Sequence, residues 1–342
     1  MNVLSLFDGM SCLQIALEKA GIKVDKYFAS EIDKYAMKVT QSNYPNTIQV
    51  GNVEFVTKEM INNKIHLLAG GSPCQGFSFA GKQLNFEDPR SKLFFEFVRL
   101  KRELKPKYFF LENVRMKKEY QDIISFYLGC QPVVINSSLV SAQNRVRLYW
   151  TNIPGIEQPT DKGILLKDII IPDLDFSEYV YPKEKTIHKL FNTNPSNKGM
   201  NGCVYGVNGK SPTLTTNKGE GIKILVVPEA TKKGFTEVNY EEGVDLTFIN
   251  SKTRRGRLMK YKSNCLTASS FDYYWFNNNI LRKLTPIECE RLQTVPDNYT
   301  NFVSNSQRYK MLGNGWTVDV IAHIFKGITD QIKTEVEKQK CA

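Results

Sequence analysis

Over its first 150 or so residues the chain alternates short apolar runs with segments of helical spacing, and this alternation constrains the fold more than any other feature. Asn2–Leu6, Val24–Ser30, Asn46–Val50, Ile65–Ala69, Tyr108–Leu111, Val133–Asn136 and Val146–Thr151 are too short for helices and read as strands. Between the first two, Cys12–Ala20 sets Leu13, Ala16, Leu17 and Ala20 at helical spacing, with Gly21 at the C-terminal cap. Helices are likewise expected over Lys34–Ser42, over Ser91–Leu104, which stops before Pro106, and over Met116–Tyr127. A βαβα order of this kind predicts an α/β protein with a Rossmann-like, mostly parallel sheet covered on both faces.

Such a sheet brings the loops after its strands to one edge, where ligands bind. Gly70–Ser78 follows the fourth strand and delivers Cys74 on a loop shaped by glycine and proline. A thiol at that edge is a candidate nucleophile. A free cysteine is also commonly a small, inert core residue, and Cys74 alone does not separate the two. Phe7-Asp8-Gly9-Met10-Ser11 follows the first strand, and Glu31 ends the second, about twenty residues on, where the dinucleotide fold binds ribose hydroxyls with an acid. The Gly-x-Gly-x-x-Gly fingerprint is absent, so a nucleoside cofactor without phosphates fits better than a dinucleotide. An unliganded Rossmann-like domain with a surface glutamate carries the same residues.

At 342 residues, 41% hydrophobic and 24% charged, the chain can bury a sizeable core in one or two domains. No stretch approaches the ~20 apolar residues of a membrane span. Met1 leads directly into a strand, with no N-terminal signal sequence. Seven cysteines are scattered without a Cys-x-x-Cys pair, which argues against a zinc site, so no metal is expected, and against a disulfide framework. A reducing, cytoplasmic setting follows. The net charge of +11 suits a polyanion such as nucleic acid, although a Lys- and Asn-rich composition gives the same charge with no such partner.

The chain resembles the DNA (cytosine-5)-methyltransferases, of the bacterial and phage type with some features of the de novo enzymes. Phe7-Asp8-Gly9 resembles the cofactor loop Phe-x-Gly-x-Gly, and Gly71-Ser72-Pro73-Cys74-Gln75 the Pro-Cys catalytic loop. Glu112-Asn113-Val114 resembles the Glu-Asn-Val strand end, and Gln143-Asn144-Arg145-Val146-Arg147 the Gln-x-Arg-x-Arg motif. Arg282–Gln293 and Leu312-Gly313-Asn314-Gly315 resemble two C-terminal motifs. Each motif alone is weak; the set in this order is specific.

The resemblance implies methyl transfer from S-adenosyl-methionine to carbon 5 of a cytosine flipped out of double-stranded DNA. The chemistry agrees with the residues. Carbon 5 is a poor nucleophile until a thiolate, from Cys74, adds at carbon 6. The addition puts charge on the ring, and Glu112, a carboxyl at a strand end, suits the proton donor at ring nitrogen 3. Arg145 and Arg147 stand two apart and share one face of a strand. By the resemblance, one reaches the base carbonyl or the thiol, and the other supports the active-site loop, for which Gly76 and Gly81 are hinge candidates. Phe7, Gly9, Met10, Glu31, Ile32, Asn52, Val53, Pro73, Leu93, Asn314 and Trp316 are implied for the cofactor, and Gln75, Ser78 and Thr213 for DNA.

Two departures stand out. Ser11 replaces the usual second glycine of the cofactor loop, and Asn52 replaces the usual aspartate of the Gly-Asp-Val/Ile turn. A charge-assisted bond to the adenine amine then becomes neutral, so tighter cofactor binding is expected on Asn52→Asp.

Residues 156–280 lose the βα rhythm and read as a smaller, irregular, β-rich target-recognition domain. Residues 1–155 and 281–332 form the catalytic domain, and 333–342 a frayed helical tail. Lys252, Arg254, Arg255, Arg257, Lys260 and Lys262 form a basic run without acids, expected to meet DNA phosphates, with Arg254, Arg255 and Arg257 as contacts. The aromatics that follow, Phe271 to Phe276, read better as a buried strand than as a stacking surface. The resemblance implies a monomer acting in the cytoplasm on the nucleoid, in restriction-modification or as an orphan. Two other readings stay open: methylation of tRNA cytosine, and a non-catalytic DNA-binding regulator that keeps the fold.

Overall fold

The computed structural model describes residues 1–72, 89–172, 179, 189–192, 203–205, 223–224, 226–228, 230, 235–239, 241–249, 251, 253–268, 272–277 and 280–340. Pro73, Cys74, Gln75, Ser78 and Thr213 lie outside these residues, as do Gly76, Gly81, Lys252 and Phe271.

Seven strands form the main sheet: β1 (Asn2–Leu6), β2 (Lys26–Ser30), β3 (Ile48–Gln49), β4 (Leu67–Gly70), β5 (Tyr108–Val114), β6 (Val133–Asn136) and β7 (Val146–Thr151). Their order is β3-β2-β1-β4-β5-β7-β6. The first five run parallel, while β7 is antiparallel to both β5 and β6. Strands buried on both sides favour apolar residues on both faces, which is why these stretches read as mostly apolar runs. Alternate residues go to opposite faces. Val3, Ala69 and Phe110 join one core, and Leu4, Leu68 and Leu111 the other.

Helix α1 (Cys12–Lys19) ends as the glycine foretells. Gly21 takes φ +69°, its N–H bonds Glu18 O at 2.9 Å, and Ile22 N–H bonds Leu17 O at 2.9 Å. This double closure satisfies the last carbonyls of the helix. Helices α2 (Lys34–Asn43), α3 (Lys58–Ile61), α4 (Pro89–Leu104) and α5 (Lys118–Leu128) complete the first part of the chain. Phe94 and Phe97 of α4 and Ile124 of α5 pack on the Leu4–Leu68 face.

Further along, β8 (Lys189–Asn192), β9 (Cys203–Tyr205) and β10 (Lys223–Ile224) form a three-stranded sheet, and β11 (Val226–Pro228) pairs with β12 (Phe235–Glu237). A four-stranded antiparallel sheet follows, built from β13 (Glu242–Phe248), β14 (Arg255–Met259), β15 (Tyr273–Asn277) and β16 (Ile280–Lys283) in the order β14-β13-β15-β16. Tyr273 and Trp275 of β15 join the core shared with α1, and Tyr274 and Phe276 join a separate cluster with Val244 and Leu246. The aromatic run is thus a buried strand over its described residues.

The basic run is not one charged stripe. Arg254 is exposed and lies over the Phe248 ring at 4.7 Å. Arg257 is half exposed and paired with the buried Asp245 at 2.5 Å. Arg255, expected at the DNA, is only 6% exposed. Its φ is +42°, and the β13–β14 register slips between Asp245 and Phe248, so the two arginines do not share a face. Lys262 donates to the carbonyls of Ser138, Ser141 and Ile164, at 2.7, 3.2 and 2.7 Å, and so ties this segment to the main sheet.

The chain then returns to the sheet through α6 (Pro286–Leu292), α7 (Asn305–Asn314) and α8 (Val318–Lys340). A capping box between Thr285 and Glu288 starts α6, with Pro286 in its first turn. Helix α8 packs on α1 and continues to Lys340, beyond the Ile332 at which its apolar spacing fades. Asp319, in its first turn, holds Lys19 and Lys162, each at 2.7 Å.

Candidate active site

The strand ends of β1, β2, β4 and β5 open into one cavity of about 490 Å³. Thirteen of the expected site residues line it: Phe7, Gly9, Met10, Glu31, Ile32, Asn52, Val53, Leu93, Glu112, Arg145, Arg147, Asn314 and Trp316. Arg254, Arg255 and Arg257 are not among its walls.

One end of the cavity is built on the loop after β1. Gly9 has φ +59°, and its N–H donates to Glu31 Oε2 at 2.7 Å. Glu31 Oε1 accepts from Ile32 N–H and Asp33 N–H at 2.7 and 2.8 Å, so one carboxylate anchors two loops. Phe7 and Ser11 also have positive φ, +55° and +59°. Ser11 therefore holds the backbone shape that the family's glycine would take freely. Its hydroxyl compensates by donating to the Asp8 carboxylate and accepting from Thr40 Oγ1 at 3.2 Å. Asp8 also accepts from Tyr27 OH at 2.5 Å. Burial raises the Asp8 carboxyl to about 6, against the pull of these hydroxyls. Burial likewise pushes the Cys12 thiol, in the same wall, to about 12.

Ile32 is 76% exposed at the rim, where an apolar side chain gains most from a covering ligand. Asn52 accepts from Glu54 N–H at 3.2 Å and donates through Nδ2 to Glu54 Oε2 at 2.9 Å. An aspartate there would set its carboxylate against that of Glu54.

The other end is basic. Glu112, 8% exposed, sits near the end of β5 beside β7. Its Oε1 meets Arg147 Nε at 3.0 Å, and its Oε2 accepts from Trp316 Nε1 at 3.2 Å. Asn113 Nδ2 donates to Ser72 Oγ at 3.2 Å, which fixes the start of the Cys74 loop to β5. Arg145 is buried and reaches three backbone carbonyls: Leu266 O at 3.1 Å, Gly313 O at 3.3 Å and Gly315 O at 2.9 Å. The two arginines have thus parted roles. Arg147 faces the carboxylate, and Arg145 knots the C-terminal segment to the sheet.

Sequence reasoning missed Cys265 as a wall residue. Its Sγ accepts from Arg145 Nη1 at 3.1 Å and lies 3.4 Å from Arg147 Nη2. Burial opposes ionisation of this thiol, but the two guanidiniums outweigh it and hold its pKa below the usual value. Its stretch is set against Gln143: Ser263 bridges Gln143, and Leu266 N–H donates to Gln143 Oε1 at 3.2 Å. Trp316 was expected only on the cofactor, and its bond to Glu112 had no local signal.

The acidic end suits a cationic nucleoside and the arginine end a polar ring. The cavity's residues thus fit S-adenosyl-methionine. No group of three or more His, Cys, Asp or Glu poised for a metal occurs among the described residues. None of the described helices is long and apolar enough to cross a membrane.

Residues 1–330 match the family described as C-5 cytosine-specific DNA methylase. The orphan methyltransferase M.SPRI of Bacillus phage SPR is 30% identical over 448 residues, covering 99% of each chain. The type II methyltransferase M.HhaI of Haemophilus parahaemolyticus is 26% identical, over 95% of this chain and 93% of its own. Among solved structures, DNMT2 of Spodoptera frugiperda superposes with a TM-score of 0.61 at 19% identity, over 96% of this chain and 99% of that one, a likeness of fold.

Proposed function

Because the chain belongs to the C-5 cytosine-specific DNA methylases, and so is a DNA cytosine methyltransferase, we propose that it uses S-adenosyl-methionine and a covalent Cys74 adduct on a flipped cytosine. The observation that carries this reading is the pairing, within one cavity, of a Glu112–Arg147 end and a Glu31–Asp8 end. The cofactor, when bound, supplies an electrophilic methyl group. Phe7, Glu31 and Asp8 would hold it against β1 and β2.

At the other end the protein handles the base. Flipping is required because carbons 5 and 6 are covered by their neighbours in the stack. The Cys74 thiolate forms a bond to carbon 6, and the ring electrons move towards carbon 5. Glu112 donates its proton to ring nitrogen 3 and so removes the charge this creates. Arg147 orients Glu112 and offers a guanidinium donor to the base carbonyl. After carbon 5 is methylated its proton passes to water, the bond from carbon 6 to sulfur breaks to return the thiolate, and ring nitrogen 3 gives its proton back to Glu112.

Residues 1–155 with 281–332 would form the catalytic domain and 156–280 the recognition domain, with Arg254 as a phosphate contact. Arg254→Glu should lower DNA affinity and reduce the salt slope by about one. The decisive experiment offers labelled cofactor with duplex DNA and with tRNA, using wild type and Cys74→Ser. Methyl transfer to DNA, abolished in Cys74→Ser with DNA binding retained, supports the reading. Transfer to tRNA alone, or activity surviving Cys74→Ser, overturns it. Bisulfite sequencing of DNA from cells expressing the chain then gives the target site.

A further inference from the structure

Trp316 has a single polar atom, and it is spent on Glu112 rather than on water or ligand. The contact is built from several directions. The peptide before Trp316 is clamped at Gly315 O by Arg145 Nη2 at 2.9 Å and by Gln293 Nε2 at 3.2 Å. The peptide after it is fixed through Thr317 Oγ1, which donates to Gln293 Oε1 at 2.9 Å. The indole packs edge-on against Phe110, with centroids 5.4 Å apart. Gly71 passes over the pair: a Cβ there would lie 2.9 Å from Trp316 Nε1 and 3.2 Å from Glu112 Oε2, so only glycine leaves room.

We infer that Trp316 is a positioning residue for Glu112 as well as a wall of the cofactor end, and so joins the two halves of the cavity. The inference rests on the proposed role of Glu112 as proton donor. With Arg147 on Oε1 and Trp316 on Oε2, each oxygen keeps one open lone-pair direction, and the carboxyl cannot turn without losing both donors. A proton on Glu112 is thereby aimed rather than free to rotate. The charged and titratable groups around it are Arg147, with Tyr149 beside it on β7, and Cys265 acting through Arg147.

Trp316→Phe keeps the ring and deletes the N–H. Turnover on DNA should fall about tenfold, while binding of S-adenosyl-homocysteine by calorimetry, which also reports that the variant is folded, stays within about threefold. Added to Glu112→Gln, the substitution should cause no further loss, because the bond it breaks serves only the carboxylate. Weaker cofactor binding with kcat unchanged would overturn the inference, as would an equal loss in both backgrounds. If Glu112→Gln itself retains full turnover, the proposed acid is wrong and the inference falls with it. If that variant is inactive and Trp316→Phe is fully active, only the inference falls.

Discussion

The two ends of the cavity are constructed in opposite ways. The acidic end is local: Glu31 fastens Gly9, Ile32 and Asp33 through backbone N–H groups, all within the first strand–helix–strand unit and the start of α2. The basic end is assembled from distant parts of the chain, with Glu112 on β5, Arg147 on β7, Cys265 before β15 and Trp316 after α7. Backbone anchoring suits a site that must exist before its ligand arrives. Side-chain anchoring suits a site whose groups change protonation during a reaction. The difference predicts that perturbing the acidic end changes binding, whereas perturbing the basic end changes turnover.

The largest expected effect is at the basic end. Glu112→Gln should lower kcat by about 10²- to 10⁴-fold with cofactor affinity nearly unchanged, as measured by single-turnover methylation and calorimetry. A matching loss of cofactor affinity would break the contrast between the ends.

Asp8→Asn tests the acidic end. A carboxyl raised from 3.8 to about 6 stabilises the fold when protonated, fully so below about pH 4, and that contribution is lost as pH rises through 6. The loss amounts to about 3 kcal/mol at neutral pH. Asp8→Asn should therefore melt several degrees higher than wild type at pH 7.5, with the difference vanishing near pH 4, and should bind the cationic cofactor about tenfold more weakly. Calorimetric melting across that range, together with titration of cofactor, checks both signs.

A smaller effect is expected from Asn52→Asp, which sets a carboxylate against Glu54. Cofactor affinity should fall about threefold to tenfold, and the double variant with Glu54→Gln should recover it. Smallest is the comparison at Ser11. Ser11→Ala keeps the positive φ and loses the hydroxyl, whereas Ser11→Gly loses the hydroxyl and the strain. The glycine variant should be the more stable of the two by about 1 kcal/mol in urea unfolding.

The same contrast explains what was legible in the amino-acid sequence. Strands such as Asn2–Leu6 and Val146–Thr151 were readable because their buried positions make short, mostly apolar runs. The Gly21 cap and the Thr285–Glu288 box are short-range devices with short-range signatures. The acidic end was readable for the same reason. Cys265 and the Trp316–Glu112 bond were not, because they come from pairings across more than a hundred residues. The burial of Arg255 was not legible, because it accompanies a slip of register between β13 and β14 that no local pattern marks.

One feature of the fold bears on what completes the enzyme. Val320, Ile321, Ile324, Phe325 and Ile328 of the last helix cover the same core that β1 and α1 enter at the start of the chain. That face stays open in any chain that lacks α8. Trp316, which seals Glu112, stands just ahead of α8. A chain that stops short of Trp316 and α8 therefore lacks both the donor to Glu112 Oε2 and the cover over the core that β1 and α1 enter.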